Sequence, residues 1–390
     1  MRLECSPTEF LKTAAHTAEH FGFKSLEAIK KDPICKHCTT SLPNTLETKE
    51  AKIDDLHGLL TGGVAKYCDA QLHAFDGPVL VYGTETVPYT KETAVTFHIF
   101  NVQKSIAEAI LIHTTRTLMH ELGHTDHIVR INSLGDSDSL LRYTREITTY
   151  LRKRLDLLTP DARELMKEHS LLALQNLIDS NHEIAAKAPN PLEYLSDQSR
   201  KHFRDIIEYL DMSETPYEID TKMLGHHNCY SDALFAIESN DHEASGNTIN
   251  IKGGRFDAFM LRKTNCNSGA VGAVAILKNK PAPNRTPRFK LNTPSVYVIQ
   301  LGFGPKIRSL LLIDELRKAG IAAHQDLAND SLSAQLRDAE SRGVKYVVII
   351  GQKEFVEDTV ILRDMKSRKQ EPIPYQQLMR RLKRNVTTTA

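Results

Sequence analysis

Hydrophobic residues recur along this chain with two different spacings, and each spacing predicts a different kind of element. Apolar residues three or four positions apart over residues 8–21 predict an amphipathic helix with Ser6 or Thr8 as its cap. The same spacing predicts three further helices, over residues 106–122, 171–178 and 198–210. It also predicts a helix that Asp136 or Ser137 can cap, with an apolar stripe of Leu140, Tyr143, Ile147, Tyr150 and Leu151.

Shorter apolar or alternating runs predict β-strands over residues 78–82, 94–101, 127–131, 233–237 and 248–252. The last two runs are joined by a polar stretch, which indicates an antiparallel hairpin. This hairpin ends in Gly253-Gly254-Arg255-Phe256-Asp257. Because glycine has no Cβ, paired glycines at the end of a strand let a ligand come close to the backbone. The hairpin is therefore the first candidate for a binding site.

From residue 295 onward the predicted strands and helices alternate regularly. Strands are predicted over 296–300, 321–323, 346–350 and 359–362, and helices over 307–319, 332–342 and 374–384. Such alternation indicates a mostly parallel sheet covered by helices. A proline-rich, basic stretch over residues 281–294 precedes this region and is typical of a linker.

Composition narrows the class of protein. With 41% hydrophobic and 25% charged residues, the 390-residue chain has the composition of a soluble globular protein with two or three domains. The net charge of +1 excludes a global basic field, so any nucleic-acid binding must depend on a local patch. The first residues lack the apolar core of a signal peptide, and no apolar run is long enough to span a membrane. We expect a cytoplasmic protein.

Two short motifs raise the question of a metal site. Cys35 and Cys38 form a Cys-x-x-Cys pair, but a structural zinc site needs about four ligands and the chain has no second pair. Two ordinary thiols are the favoured interpretation.

His120-Glu121-Leu122-Gly123-His124 matches the zinc-protease signature, which requires both histidines on one continuous helix. Gly123 instead predicts the end of the helix, which would place His124 outside it. No metal site is predicted, and a zinc metalloprotease remains a remote alternative.

Several segments resemble histidyl-tRNA synthetases, which are class II aminoacyl-tRNA synthetases. The first helix, ending at Phe21-Gly22-Phe23, resembles motif 1 of that class, and Asn132-Ser133-Leu134-Gly135-Asp136 resembles a family segment that precedes an inserted helical domain. The hairpin resembles the amino-acid-binding part, with its Gly-Gly-Arg-Tyr-Asp segment. Residues 295–384 resemble the anticodon-binding domain.

This resemblance implies an α+β fold with a class II synthetase-like antiparallel core and a helical insertion, followed by an α/β anticodon-binding-type domain with a mostly parallel sheet. The implied boundaries are 1–135 and 216–280 for the core, 136–215 for the insertion, 281–294 for the linker and 295–390 for the last domain. A homodimer is implied as well, because motif 1 forms the dimer interface in the family.

The family uses three arginines around the ATP and the reacting carboxylate. By alignment of the resembling segments, their positions hold Val87 in motif 2, Gly225 before the hairpin and Asn279 in motif 3. None of these residues can provide the positive charge that stabilises the phosphate under attack. We therefore predict that the adenylation chemistry is lost, and we assign no catalytic residue.

The resemblance also marks candidate binding residues. The amino-acid pocket would be formed by Asn228, Tyr230, Gly253, Gly254, Arg255 and Phe256. Candidate tRNA-binding residues lie in the last helix, namely Arg380, Arg381, Lys383 and Arg384. The same four charges also suit the C-terminal end of a helix electrostatically.

The predicted function is a histidyl-tRNA synthetase-like protein, a non-catalytic paralogue that binds tRNA in a translation-related or regulatory role, with histidine as a second candidate ligand. The alternative is an active, divergent histidine–tRNA ligase, which would need ATP and Mg²⁺.

Overall fold

An eight-stranded sheet forms the centre of the first part of the chain. The computed structural model describes residues 5–26, 55–69, 77–87, 90–226, 229–239, 248–264, 268–283, 294–327 and 329–387. The strands of the first sheet are β1 (Lys24–Ser25), β2 (Val79–Thr86), β3 (Glu92–Phe100), β4 (His127–Gly135), β5 (Tyr217–Ile219), β6 (Asp232–Ser239), β7 (Ile249–Arg255) and β8 (Ala270–Pro281).

The strand order is β1-β2-β3-β8-β7-β6-β4-β5. The six central strands β2, β3, β8, β7, β6 and β4 each run antiparallel to their neighbours in the sheet. The short edge strands are parallel to their partners, β1 to β2 and β5 to β4. The antiparallel core predicted from the resemblance is confirmed.

Side chains alternate between the two faces of this sheet, as strand geometry requires. One face buries Phe97, Ile131 and Phe235 against three helices, α1 (Pro7–His20), α3 (Ile106–Glu121) and α8 (Asp197–Met212). The opposite face carries Leu234 and Val274 and is covered in part by α2 (Asp55–Asp69). The first helix begins as predicted, because the Ser6 side chain accepts a hydrogen bond from the backbone N–H of Glu9.

Five helices lie between β4 and β5: α4 (Ser137–Arg152), α5 (Pro160–Glu168), α6 (Ser170–Asp179), α7 (Glu183–Ala186) and α8. Asp136 caps α4 by accepting a hydrogen bond from the backbone N–H of Ser139, as the sequence predicted. The predicted apolar stripe of α4 is buried at Tyr143, Ile147 and Leu151. A short helix, α9 (Asp257–Thr264), follows β7.

The C-terminal region contains a second sheet with the order β10-β9-β11-β12-β13. Its elements are β9 (Val296–Gln300), α10 (Phe303–Lys318), β10 (Ala323–Gln325), α11 (Leu332–Ser341), β11 (Tyr346–Ile350), α12 (Gln352–Val356), β12 (Thr359–Asp364), β13 (Gln370–Pro374) and α13 (Tyr375–Thr387). Strands β10, β9 and β11 are parallel, whereas β12 and β13 run antiparallel at one edge.

Two details of this domain differ from the prediction. Strand β10 begins two residues later than expected, because Gly320 and Ile321 are used to leave the preceding helix. Strand β13 was not predicted, since its alternation is interrupted by Pro372 and Pro374, which are tolerated at a sheet edge.

The C-terminal domain contacts the first part of the chain through an apolar core and several ion pairs. Buried residues of α1 and α3 belong to the same apolar cluster as Leu310 and Ile313 of α10. Within this contact, the buried His113 places Nε2 3.0 Å from Asp314 Oδ2. Among the described helices, none combines the length and apolarity needed to cross a membrane.

Candidate functional site

Two adjacent glycines lie in one cross-strand row of the first sheet. The register pairs Leu234 with Gly254, Gly254 with Gly272 and Gly272 with His98. A row without Cβ atoms leaves a hollow on the sheet face, and the sequence predicted that a ligand would use such a hollow.

Side chains of the protein itself fill this hollow. A Cβ added to Gly254 would lie 2.8 Å from Cδ1 of Tyr230 and 2.7 Å from the carbonyl oxygen of Ala233. At Gly272 an added Cβ would lie 2.9 Å from both Leu60 Cδ2 and Phe256 Cε1. These glycines therefore make room for the protein's own aromatic and apolar side chains.

Helix α2 forms the cover over this row. Its buried residues Leu60, Gly63, Val64 and Tyr67 recur at helical spacing and face the sheet. The His98 ring donates a hydrogen bond from Nε2 to the carbonyl oxygen of Leu60, at 3.2 Å. Burial lowers the pKa of His98 to about 4, although this hydrogen bond acts in the opposite direction. The ring is therefore neutral at physiological pH.

The family's motif 2 position, Val87, is 1% exposed and belongs to the apolar cluster that includes Leu60 and Val64. It lies directly after β2, where its backbone N–H donates to the carbonyl oxygen of Glu92 and its carbonyl oxygen accepts from Lys91. Val87 is thus hydrogen-bonded to residues at the start of β3, and its side chain belongs to the core.

Gly225 occupies the position of the second family arginine, and its φ of +61° is one that glycine adopts readily. A Cβ added here would lie 2.6 Å from Tyr230 Cδ2 and 3.3 Å from Leu234 Cδ1. An arginine at this position would therefore displace the buried Tyr230 ring.

Asn279, at the position of the third family arginine, lies in the last part of β8. Pairing with β3 shifts register between Glu92 and Thr93, so Pro281 pairs with Glu92 and Leu277 with Thr93. The backbone remains extended to Pro281 and does not turn into a helix, which a proline at this point disfavours.

Arg255 was predicted to line the amino-acid pocket, and in the structure its guanidinium contacts groups of the protein itself. Its side chain is 1% exposed, and Nε and Nη2 each donate to a carboxylate oxygen of Glu108 at 2.7 Å. The remaining N–H groups donate to the carbonyl oxygens of Val102 and Lys104, at 3.0 and 3.2 Å, and to Asp257 at 3.2 Å. All five donors are used within the protein, so none faces a ligand.

The charges around Arg255 compensate one another. Burial opposes the ionised form of Glu108, but Arg255 and His202 outweigh it and lower the pKa of Glu108 to about 2. For His202, burial acts to lower the pKa, yet the contact with Glu108 at 2.8 Å dominates and raises it. Burial raises the pKa of Asp257, against the attraction of Arg255.

The other predicted pocket residues divide into two groups. Tyr230 and Phe256 are both buried in the apolar cluster beneath α2, and Gly253 packs so closely that an added Cβ would lie 2.6 Å from the carbonyl oxygen of Gly272. Asn228 lies outside the described residues.

The zinc-protease motif is interrupted as the sequence predicted. Helix α3 ends at Glu121, and Gly123 has a φ of +86°, so His124 lies beyond the helix. Glu121 pairs with Arg317 of the C-terminal domain. No group of three or more metal-binding side chains occurs among the described residues, which do not include Cys35 and Cys38.

A group of exposed cations lies at one end of the C-terminal domain. The turn between β12 and β13 carries Lys366, Arg368 and Lys369, all exposed. The end of α13 lies beside this turn, because Arg381 contacts Glu371 at 2.8 Å. We call the exposed residues of this end the basic surface: Lys366, Arg368, Lys369, Arg380, Lys383 and Arg384.

Sequence reasoning missed two parts of these sites. Helix α2 was not predicted, although Leu60, Val64 and Tyr67 have the spacing of one helical face. The basic turn was missed because its cations belong to a different element from the predicted ones in α13, and only the fold brings the two together.

Comparisons with known proteins agree with this architecture. A family model described as an anticodon binding domain matches residues 296–385. The histidine–tRNA ligase of Geobacillus sp. (strain WCH70) is 26% identical over 283 residues, which cover 72% of this chain and 67% of that relative. The corresponding protein of Geobacillus thermodenitrificans (strain NG80-2) is 28% identical over 251 residues, or 64% of this chain and 59% of the relative.

Among solved structures, apo S. aureus histidyl-tRNA synthetase aligns with a TM-score of 0.45 and 16% identity, covering 81% of this chain and 80% of that one. The sequence matches to the two Geobacillus ligases span 67% and 59% of the length of those proteins. The matched anticodon binding domain and these sequence relatives confirm the resemblance to histidyl-tRNA synthetases read from the sequence.

Proposed function

We propose that this protein binds tRNA and does not form histidyl-adenylate. The observation that carries the proposal is the filled glycine row, in which Leu60, Tyr230 and Phe256 occupy the space above Gly254 and Gly272. A ligand can enter there only if α2 and the Tyr230 ring move away together.

Electrostatics support the loss of adenylation. Activating histidine places its carboxylate against the α-phosphate of ATP, and the negative charge that develops needs cations aimed at it. The three family positions hold Val87, Gly225 and Asn279 instead.

Three cations near this face of the sheet are paired with carboxylates. Lys66 pairs with Glu85, Lys278 with Glu92, and Arg130 with both Asp220 and Glu238. Each pairing reduces the positive charge available to a triphosphate.

The basic surface supports tRNA binding. Its six cations come from two neighbouring elements, and phosphate contacts of this kind supply most of the affinity of proteins for nucleic acids. Two carboxylates of β12 and β13 are already engaged, since Glu371 contacts Arg381 and Asp364 accepts hydrogen bonds from Ser367.

An active ligase is the competing function, and histidine-dependent exchange between ATP and pyrophosphate separates the two. We expect no exchange above the background measured without histidine. Exchange that depends on histidine, ATP and Mg²⁺ would contradict the proposal and establish the ligase. Calorimetric titration with histidine in the same preparation tests the predicted histidine binding independently.

Binding to tRNA is tested by titrating labelled tRNA with the wild-type protein and with a Lys366→Met/Arg368→Met/Arg384→Met variant. We expect the variant to bind at least about tenfold more weakly and with a shallower salt dependence. The matched control is Lys353→Met, because Lys353 is exposed on α12, at the opposite end of β11 from the basic surface. Equal affinities for the variant and the control would refute this surface as the tRNA-binding site.

The homodimer and the cytoplasmic location belong to the same proposal. In the structure α1 is buried within its own chain at Phe10, Ala14 and Ala18, so a dimer would have to use other surfaces of motif 1. Sedimentation equilibrium distinguishes a monomer from a dimer.

A further inference from the structure

A carboxylate of the C-terminal domain lies between two lysines from different parts of the chain. Asp330 Oδ2 is 2.5 Å from Lys104 Nζ, and Asp330 Oδ1 is 2.6 Å from Lys306 Nζ. Lys104 lies between β3 and α3 of the first part, whereas Lys306 belongs to α10. The Lys306 side chain is 5% exposed, so it depends on Asp330 for compensation of its charge.

Lys104 also joins this contact to Arg255. Its backbone carbonyl accepts a hydrogen bond from Arg255 Nη2 at 3.2 Å, while its side chain reaches Asp330. Arg255 in turn holds Glu108 with two hydrogen bonds of 2.7 Å. One loop residue therefore connects the C-terminal domain with the centre of the first sheet.

The same contacts continue into the helical insertion. Glu108 Oε1 lies 2.8 Å from His202 Nε2 on α8. Buried apolar residues of α8, Phe203 and Ile206, belong to the same core cluster as Leu310 of α10. The insertion and the C-terminal domain therefore share both a polar and an apolar connection through the sheet.

We infer that these contacts couple the C-terminal domain, the sheet and the insertion, so that the three open in a single cooperative event. The ion chain consists of Lys306, Asp330, Lys104, Arg255, Glu108 and His202. Within this series of contacts, Arg255 of the Gly-Gly-Arg-Phe-Asp segment is a positioning residue that connects the domains.

The physical reason is the burial of Glu108 and Arg255, which are 0% and 1% exposed. Neither can lose its partner without leaving an uncompensated buried charge, which is strongly destabilising. Lys104 reaches Asp330 with its side chain and Arg255 with its backbone carbonyl, so a displacement of the Lys104 backbone would weaken both contacts.

Amide hydrogen exchange in the isolated, RNA-free protein tests this coupling. In the wild type we expect the slowest amides of β4 and of β11 to exchange at matching rates, because both require the same global opening. In Asp330→Asn, which removes the shared carboxylate, we expect the β11 amides to exchange at least about tenfold faster than those of β4. Glu108→Gln should separate the two strands as well.

Glu371→Gln is the control, because Glu371 is an exposed carboxylate of the same domain that contacts Arg381 outside the ion chain. The two strands should remain matched in this variant. The inference is overturned if the slowest amides of β11 already exchange about tenfold faster than those of β4 in the wild type. It is also overturned if the exchange rates of the two strands remain equal in Asp330→Asn. Asp330 is 46% exposed, so this variant remains informative even if Glu108→Gln does not fold. The measurement involves neither ATP nor tRNA, so its outcome is independent of the proposed function.

Discussion

Adding a single methyl group at Gly225 tests whether the site is filled as the structure shows. Gly225 has a φ of +61°, and a Cβ there would lie 2.6 Å from Tyr230 Cδ2. The ring cannot simply swing away, because it is buried and its other edge lies against Gly254. We expect a conformational cost of about 1–2 kcal/mol for the left-handed backbone. The forced overlap should add about 1–3 kcal/mol.

Gly343→Ala provides the matched control. Gly343 is also exposed, has a φ of +63°, and nothing lies within 4 Å of an added Cβ. Both substitutions restrict the unfolded chain equally, so that contribution cancels. The difference between the two free energies of unfolding, measured in urea, should be about 1–3 kcal/mol, with Gly225→Ala the less stable. A difference below about 0.5 kcal/mol would show that Tyr230 does not occupy this space in solution.

Three further predictions concern the cover and the zinc-protease motif. The His98 ring should remain neutral in NMR titrations down to pH 5, because burial lowers its pKa to about 4 from the ordinary 6.5. Below pH 6.5 this histidine binds a proton in the unfolded chain but not in the folded protein. The free energy of unfolding should therefore fall between pH 6.5 and 4, by at most about 1.4 kcal/mol per pH unit from this group. A ring that titrates near 6.5 would place His98 outside the core. Tyr67→Phe removes the hydrogen bond from Tyr67 Oη to Asn101 Oδ1, which is 3.1 Å long, and should cost about 0.5–1.5 kcal/mol in urea unfolding. Chelation with EDTA should leave the melting temperature unchanged, since Glu121 pairs with Arg317 instead of activating water on a metal, and a lower melting temperature would contradict this.

Local sequence signals predicted most of the fold. The Ser6 and Asp136 caps, the end of α3 before Gly123 and the hairpin of β6 and β7 each depend on interactions between residues close in sequence. Helix α2 and strand β13 were missed because their stability comes from the surfaces they cover or join. Leu60 gains its burial from Gly272, a residue 212 positions later in the sequence. Contacts at such separation leave no periodic signal within a short segment.

Arg255 shows why residue types at a candidate site did not predict their roles. Its segment matches the family's amino-acid-binding motif, and a ligand-binding arginine and a structural arginine need the same guanidinium group. What separates the two roles is whether carboxylates and carbonyls of the protein satisfy its donors. Here Glu108, Asp257, Val102 and Lys104 satisfy all of them, and three of these residues lie about 150 positions away in sequence. Retention of this arginine is therefore explained by the fold, and it gives no support to retained catalysis.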